Sequence, residues 1–224
     1  MNFQRAEGFR LPSEIRVDSR KLSLNLPDDG GTRTAFIDVL LDDCYRLRKL
    51  PNNLKSILDV GAHAGLFSLA ARLNFPNAEI HAYEPNPQMR PFLSKQAHTA
   101  SFSYFPQAVG LEDGWASLEV GSDSVQTRVH AGTPGEIQCV SFAQAVAGLN
   151  GTVDLVKLDC EGAEWKILQD ERAWQNVRIL TMEFHLWAGY TLEELQSRVV
   201  RLGFKERNCK LTGKDFGLLL ATRS

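Results

Sequence analysis

From Ile57 onward the chain repeats one pattern: a short apolar run, then a stretch with apolar residues at helical spacing. The runs cover 57–60, 79–83, 102–109, 153–158, 179–184, 204–209 and 216–222. "TLEELQSRVVRLG" puts Leu192, Leu195, Val199 and Leu202 on one stripe, with Thr191 and Glu194 at capping-box spacing and Gly203 as the stop. "SFAQAVAGL" repeats the capping-box spacing with Ser141 and Gln144. Continuous apolar strands alternating with helices are buried on both faces, which predicts an α/β fold, a doubly wound and mostly parallel sheet. Two further short strands, 115–120 and 136–140, fall outside the alternation. Only Lys210–Asp215 separate the last two runs, so those strands should pair antiparallel.

The first fifty residues read as an extension packed on the core, and 51–224 as the main domain. "EIRVD" and "LSLNL" alternate apolar and polar residues, as a hairpin does, and "TRTAFIDVLLDDCYRLRKL" predicts a helix before the break at Pro51. With 25 basic against 27 acidic residues, the chain lacks the basic excess of a nucleic-acid or anionic-membrane binder. Four isolated cysteines point to reduced thiols. The polar start and the absence of any membrane-length apolar run point to a cytoplasmic chain.

The turn after the first strand of the alternation, Asp59–Gly65, lies where open α/β sheets bind ligands. A dinucleotide turn needs G-x-G-x-x-G, so that pyrophosphate can approach the backbone. Here His63 stands at the second glycine position and Leu66 at the third, which disfavours a diphosphate. Asp59 would welcome an ammonium, and the helix N-terminus that follows favours a carboxylate. The amino-acid end of S-adenosylmethionine carries both. Glu84 ends the next strand about twenty residues on, a position from which a carboxylate accepts hydrogen bonds from a ribose diol. Read alone, the glycines allow a tight turn and Glu84 is a solvated strand-end acid; together they favour a nucleoside-type cofactor.

"ILDVGAHAGLFSL", "HAYEPNP", "PQAVGLEDG", "VDLVKLDCEGAEWKIL" and "LTMEFH" follow one another as they do in the FkbM-type methyltransferases, class I S-adenosylmethionine-dependent enzymes. The resemblance runs from about Phe36 to Ser224, and "KLDCEGAE" is its most specific piece. It implies a Rossmann-like seven-strand sheet and methyl transfer, usually to a hydroxyl oxygen of a sugar, a macrolide-type product or another small metabolite. By motif matching it implies that Asp59, Gly61, Ala62, His63 and Gly65 line the methionine end of the cofactor. Glu84 would hold the ribose with Pro85 and Asn86 beside it, and Gln107, Ala108 and Val109 would flank the adenine. Many members have Asn where this chain has His63.

A hydroxyl nucleophile must lose its proton as the new bond forms, so a positioned base is useful. "VKLDCEGAEW" offers Asp159, Glu161 and Glu164; "TMEFHLW" offers Glu183, His185 and Trp187. His185 is the expected base, because an ordinary imidazole titrates near neutrality. Asp159 would orient cofactor or substrate, and Glu183, two residues from His185 along a strand, would fix its tautomer. Glu161 and Glu164 also suit the first turn of a helix, where the dipole favours acids. Trp187 is an apolar wall, a stacking face for a sugar, or a residue of core or surface packing. Carboxylates with one histidine have the composition of a divalent-metal site, but the spacing is no ligand signature, so no metal is expected. Tyr45, Arg128 and the loops 1–50, 120–136 and 187–190 are expected to meet the acceptor. A nicotinamide-dependent oxidoreductase, a non-catalytic scaffold, and nitrogen or carbon methylation are the rival readings.

Overall fold

The computed structural model describes residues 3–17, 20–120, 127–131 and 135–223. It begins with helix α1 (Phe3–Ala6), the hairpin strands β1 (Glu14–Val17) and β2 (Arg20–Ser23), and α2 (Gly30–Phe36), which widens into a π-helical turn at Ile37–Leu41. The alternation follows: β3 (Ser56–Val60), α3 (Leu66–Asn74), β4 (Glu79–Tyr83), α4 (Arg90–Ala100), β5 (Ser103–Phe105). Four strands then leave the pattern: β6 (Ala108–Gly110), β7 (Gly114–Val120), β8 (Thr127–Ala131) and β9 (Ile137–Ser141). After α5 (Phe142–Ala147) come β10 (Val153–Leu158), α6 (Glu164–Ile167), α7 (Glu171–Trp174), β11 (Val177–His185), α8 (Leu192–Arg201), β12 (Lys205–Leu211) and β13 (Phe216–Thr222).

Seven strands form the central sheet in the order β12-β13-β11-β10-β3-β4-β5. All run parallel except β13, which is antiparallel to both neighbours. Alternate residues feed the two faces. Ile57, Leu155 and Ile179, in register across three strands, pack with Phe67, Leu69 and Leu93 on one side. Leu58, Val156 and Leu180 pack with Phe142, Trp174 and Val199 on the other. Each such side chain contributes roughly 1.5–3 kcal/mol by leaving water. Two-sided burial explains the unbroken apolar runs. No described helix is long and apolar enough to cross a membrane.

The run 102–109 divides between two sheets. Pro106 has no N–H for the ladder, and the Phe105 carbonyl accepts both Glu84 N at 3.1 Å and Gln107 N at 2.9 Å, which turns the chain. So β5 ends the central sheet, while β6 joins a second sheet in the order β6-β9-β7-β8. The helix expected through residue 50 stops early. Asp43 and Arg46 take left-handed backbone, and the Asp43 carboxylate accepts the amides of Leu47 and Arg48 at 2.8 and 3.0 Å. That cap competes with helix and turns Tyr45 inward. The hairpin's second strand sits two residues earlier than its apolar alternation suggested.

Candidate active site

Strand order reverses between β3 and β10, and a cavity of about 330 Å³ opens beyond the carboxyl ends of β3, β4, β10 and β11. The extension builds one wall of it through Thr34, Asp38, Asp42, Cys44 and Tyr45, facing Thr212 and Leu218 from the β12–β13 hairpin.

At the β3 end the turn is held by its own backbone. Gly61 N and Ala62 N both donate to the Tyr83 carbonyl at 3.0 Å, and Gly65 N donates to Ala62 O at 2.7 Å. His63 N donates to Glu84 Oε2 at 2.8 Å, and Asn86 N donates to Glu84 Oε1 at 2.8 Å. Four amides of the turn are therefore already bonded, and none of these four is left to cradle a diphosphate. Gly61 has φ 76°, and a Cβ there would lie 1.7 Å from the Asp159 carbonyl, so only glycine fits. Burial raises the pKa of Glu84 above the ordinary carboxylate range against the pull of those amides and of Lys157.

Beneath the turn lies a buried ion network. Asp59, fully buried, accepts from Ser68 Oγ at 2.7 Å and stands 3.2 Å from Lys157 Nζ. That ammonium also reaches Asp159 Oδ2 at 3.6 Å, bonds the Gly61 carbonyl, and lies over the rings of Tyr45 and Phe67, 5.8 and 5.9 Å from their centroids. Burial alone would depress its pKa, but Asp59 and Asp159 more than reverse this, and Lys157 stays charged. The ammonium that meets Asp59 therefore belongs to the chain itself.

At the β10 and β11 ends the site is acidic. Tyr45 donates its hydroxyl to Asp159 Oδ2 at 2.8 Å. Glu164 folds back from the start of α6, accepting Cys160 N at 2.7 Å and Gly162 N at 2.8 Å, and its Oε1 lies 3.4 Å from His185 Nδ1. The other ring nitrogen of His185 faces Glu161 at 3.7 Å and Glu183 at 3.9 Å. Burial of the ring opposes its charge, but Glu164, Glu161 and Asp159 prevail and raise the pKa of His185 to about 9. Burial first, then Asp159, raises Glu183 to about 8, although His185 pulls it down. Both wall thiols stay protonated, since burial, with Asp38 at Cys44 and Glu164 at Cys160, pushes their pKa values up.

A family model described as the methyltransferase FkbM domain matches residues 59–206, well over half of the chain. The chain belongs to the FkbM-domain methyltransferases. Its methyl donor is S-adenosylmethionine. It is 27% identical over 192 residues to methyltransferase sdnD of Sordaria araneosa, covering 66% of this chain and 73% of that one. It is 22% identical over 201 residues to 31-O-demethyl-FK506 methyltransferase FkbM of Streptomyces tacrolimicus, covering 70% and 75%. The fold is shared with magnesium protoporphyrin IX methyltransferase of Synechocystis PCC 6803, at TM-score 0.53 and 14% identity over 89% of this chain and 86% of that one.

In this FkbM-domain chain the cavity wall includes Gly61, Ala62, His63, Glu84, Pro85, Gln107, Ala108, Val109, Asp159, Glu161, Glu183 and Tyr45. Asp59, Gly65 and Asn86 stand behind it; the first and last are buried, and Gly65 packs against Leu93. Two expectations change. His185 is not on the wall; its ring is buried beneath Trp187, with centroids 4.5 Å apart, and carboxylates on both sides keep it protonated at neutral pH, so it is no free base. The carboxylate at Nδ1 is Glu164 rather than Glu183, which faces the cavity. Trp187 packs over His185, one of the readings its position allowed. The backbone of Arg128 pairs with Glu119 in the second sheet, and its side chain lies outside the described residues. Lys157 is the functional group that sequence reasoning passed over, while Glu164, named among the candidate carboxylates, also reads as a helix-start acid. A lysine inside the apolar run "VDLVKL" was itself a signal, because a buried ammonium demands paired carboxylates.

Proposed function

We propose that this enzyme methylates a hydroxyl oxygen of a sugar, glycan or other small polyhydroxy metabolite. The observation that carries the reading is the side chain of Glu183, a carboxylate on the cavity wall beside Asp159, at the acceptor end and within reach of the N-terminal wall. The turn Gly61–His63 would take the methionine end of the donor, with Asp59 and Gly65 supporting it from behind. Glu84 keeps a second lone pair on each oxygen for the ribose diol, with Pro85 and Asn86 beside it. Gln107, Ala108 and Val109 would flank the adenine. In the transfer, an acceptor oxygen lone pair forms the O–CH₃ bond as the C–S bond breaks, and that electron pair returns to sulfur to leave S-adenosylhomocysteine. The acceptor proton passes to Glu183 in its carboxylate form, which prevails above about pH 8. Alignment does most of the catalysis, and the base adds about 10²–10⁴-fold. Asp159, oriented by Tyr45 and Lys157, and His185, oriented by Glu164, hold the acceptor end in place; Glu161 and Trp187 complete it, and Arg128 is a candidate acceptor contact. The name of the Streptomyces relative, a 31-O-methylating enzyme, points to oxygen as well.

The experiment is methyl incorporation from labelled S-adenosylmethionine into a panel of sugars, polyols and amines. The expected outcome is label in hydroxyl acceptors, and for Glu183→Gln a kcat at least about a hundredfold lower with S-adenosylhomocysteine affinity unchanged. Label only in amines, or an unimpaired Glu183→Gln, removes the hydroxyl reading. A melting temperature raised by NAD and not by S-adenosylhomocysteine removes the methyltransferase reading altogether.

A further inference from the structure

The acceptor end gathers acidic side chains around one imidazole. Asp159, Glu161, Glu164 and Glu183 converge there, and the lysine that faces Asp159 is shared with Asp59. Three side chains, Asp159, Glu161 and His185, each present one donor atom, and those atoms all lie within 4.8 Å of one another. Ligands about 2.1 Å from a cation stand about 3.0 Å apart when adjacent and 4.2 Å when opposite, so small rotations would close this triangle on an ion.

An independent observation comes from His185. Its side chain is 3% exposed, yet among the described residues neither ring nitrogen makes a hydrogen bond, and Nδ1 is buried without one. Buried polar groups are almost always hydrogen-bonded, whereas this imidazole has carboxylates at 3.4–3.9 Å and none within bonding geometry. Nε2 faces Glu161, while Nδ1 is turned toward the Glu164 carboxylate at 3.4 Å. A carboxylate behind one ring nitrogen, with the other aimed at a cluster of oxygens, is the arrangement that orients a metal-binding histidine. Asp159 is disposed likewise: Tyr45 and Lys157 both occupy Oδ2, which leaves Oδ1 for another partner. Glu161 itself stands at φ 53°, left-handed backbone that a glutamate rarely adopts, and this turns its side chain toward the cluster.

We propose that Asp159, Glu161 and His185 bind a divalent cation of the Mg²⁺ or Mn²⁺ type at the acceptor end of the cavity. Two carboxylates and one imidazole suit such ions once the cation displaces the ring proton of His185, and the remaining coordination positions face the cavity, open to water or to acceptor oxygens. Binding is independent of the hydroxyl-acceptor reading. The chemical role rests on that reading: the cation draws the acceptor oxygen into place and eases loss of its proton to Glu183.

The full chain, stripped with EDTA and free of cofactor, is titrated with Mn²⁺ while the electron paramagnetic resonance of free Mn²⁺ is followed. Wild type should take up one ion per chain, and excess Mg²⁺ should displace it. Glu161→Asn should bind at least about tenfold more weakly, because asparagine tolerates left-handed backbone but lacks the carboxylate. Asp42→Asn, which alters another carboxylate on the wall, should bind as wild type does. Unchanged S-adenosylhomocysteine affinity in both variants shows that the fold and the donor site are intact. As a measurement that needs no variant, substoichiometric Mn²⁺ should broaden the ring resonances of His185 before those of His98. No uptake below about 1 mM Mn²⁺, equal affinity in Glu161→Asn, or equal broadening of the two histidines overturns the site. S-adenosylhomocysteine binding in that event leaves the methyltransferase reading standing.

Discussion

The cavity has two ends built from the same kind of feature, a loop leaving a parallel strand, and they are finished in opposite ways. At the β3 and β4 ends, backbone amides bond to backbone carbonyls and to the buried Glu84 carboxylate, and the buried charges Asp59 and Lys157 are paired. At the β10 and β11 ends, carboxylates at 3.4–3.9 Å crowd a buried imidazole whose Nδ1 makes no hydrogen bond among the described residues. The first end is preformed and tolerates little change. The second gathers Asp159, Glu161, Glu164 and Glu183 around one imidazole. A methyl donor that is the same in every turnover suits the rigid end, whereas moving a proton requires a group that can exist in either state.

Lys157 belongs to both ends, so breaking it should break the contrast. Lys157→Met leaves Asp59 fully buried and without its counter-ion, and loss of one partner from a buried pair costs about 3–5 kcal/mol. Chemical denaturation should register that loss in full. A loss under 1 kcal/mol, the range of a surface pair, would mean that water reaches Asp59 and that the two ends are not joined through this ammonium. Glu84→Gln tests the rigid end alone. It trades a carboxylate for a neutral amide where His63 N and Asn86 N donate and where the ribose is proposed to bind. Hydrogen bonds to a charged group contribute about 1.5–3 kcal/mol, so calorimetry should find S-adenosylhomocysteine bound about 10–100-fold more weakly. Unchanged affinity would place the ribose elsewhere.

The difference between the ends also decided what the sequence disclosed. The sheet was legible because two-sided burial imposes unbroken apolar runs, and the β3 turn because its glycines and His63 occupy places that backbone geometry dictates. Where chemistry depends on residues far apart in the chain, local pattern carried less. Ala163 and Glu164 are a helix start in any sequence; that Glu164 reaches His185 follows only from the parallel pairing of β10 with β11. Nothing near Tyr45 announces a bond to Asp159, 114 residues away. The helix read through residue 50 failed for a similar reason, since Asp43 caps the following turn and outcompetes the helical pattern. Pro106, by contrast, was a readable break within the run 102–109.

The smallest expected effect is one of pH, and it isolates the second end. In EDTA, Glu183 carries a folded-state pKa of about 8 against an ordinary 4.5, and His185 one of about 9 against 6.5. Both values are raised, so the folded chain binds more protons than the unfolded chain between these limits. The stabilisation is complete below the ordinary values and is lost as pH rises through the folded ones, at about 1 kcal/mol per pH unit for each group. Tm should therefore fall steadily from pH 6 to pH 9. The groups that set the slope surround the pair: Asp159, Glu161 and Glu164 hold the protons on, while Lys157 opposes them at Glu183. Glu183→Gln removes one titrating carboxylate and should flatten the fall. Saturating Mn²⁺ should flatten it too, because a cation favours the deprotonated donors that high pH supplies. A Tm that holds level in EDTA across this range would mean that the carboxylates at the second end are as fully satisfied as the amides at the first, and the contrast between the two would be gone.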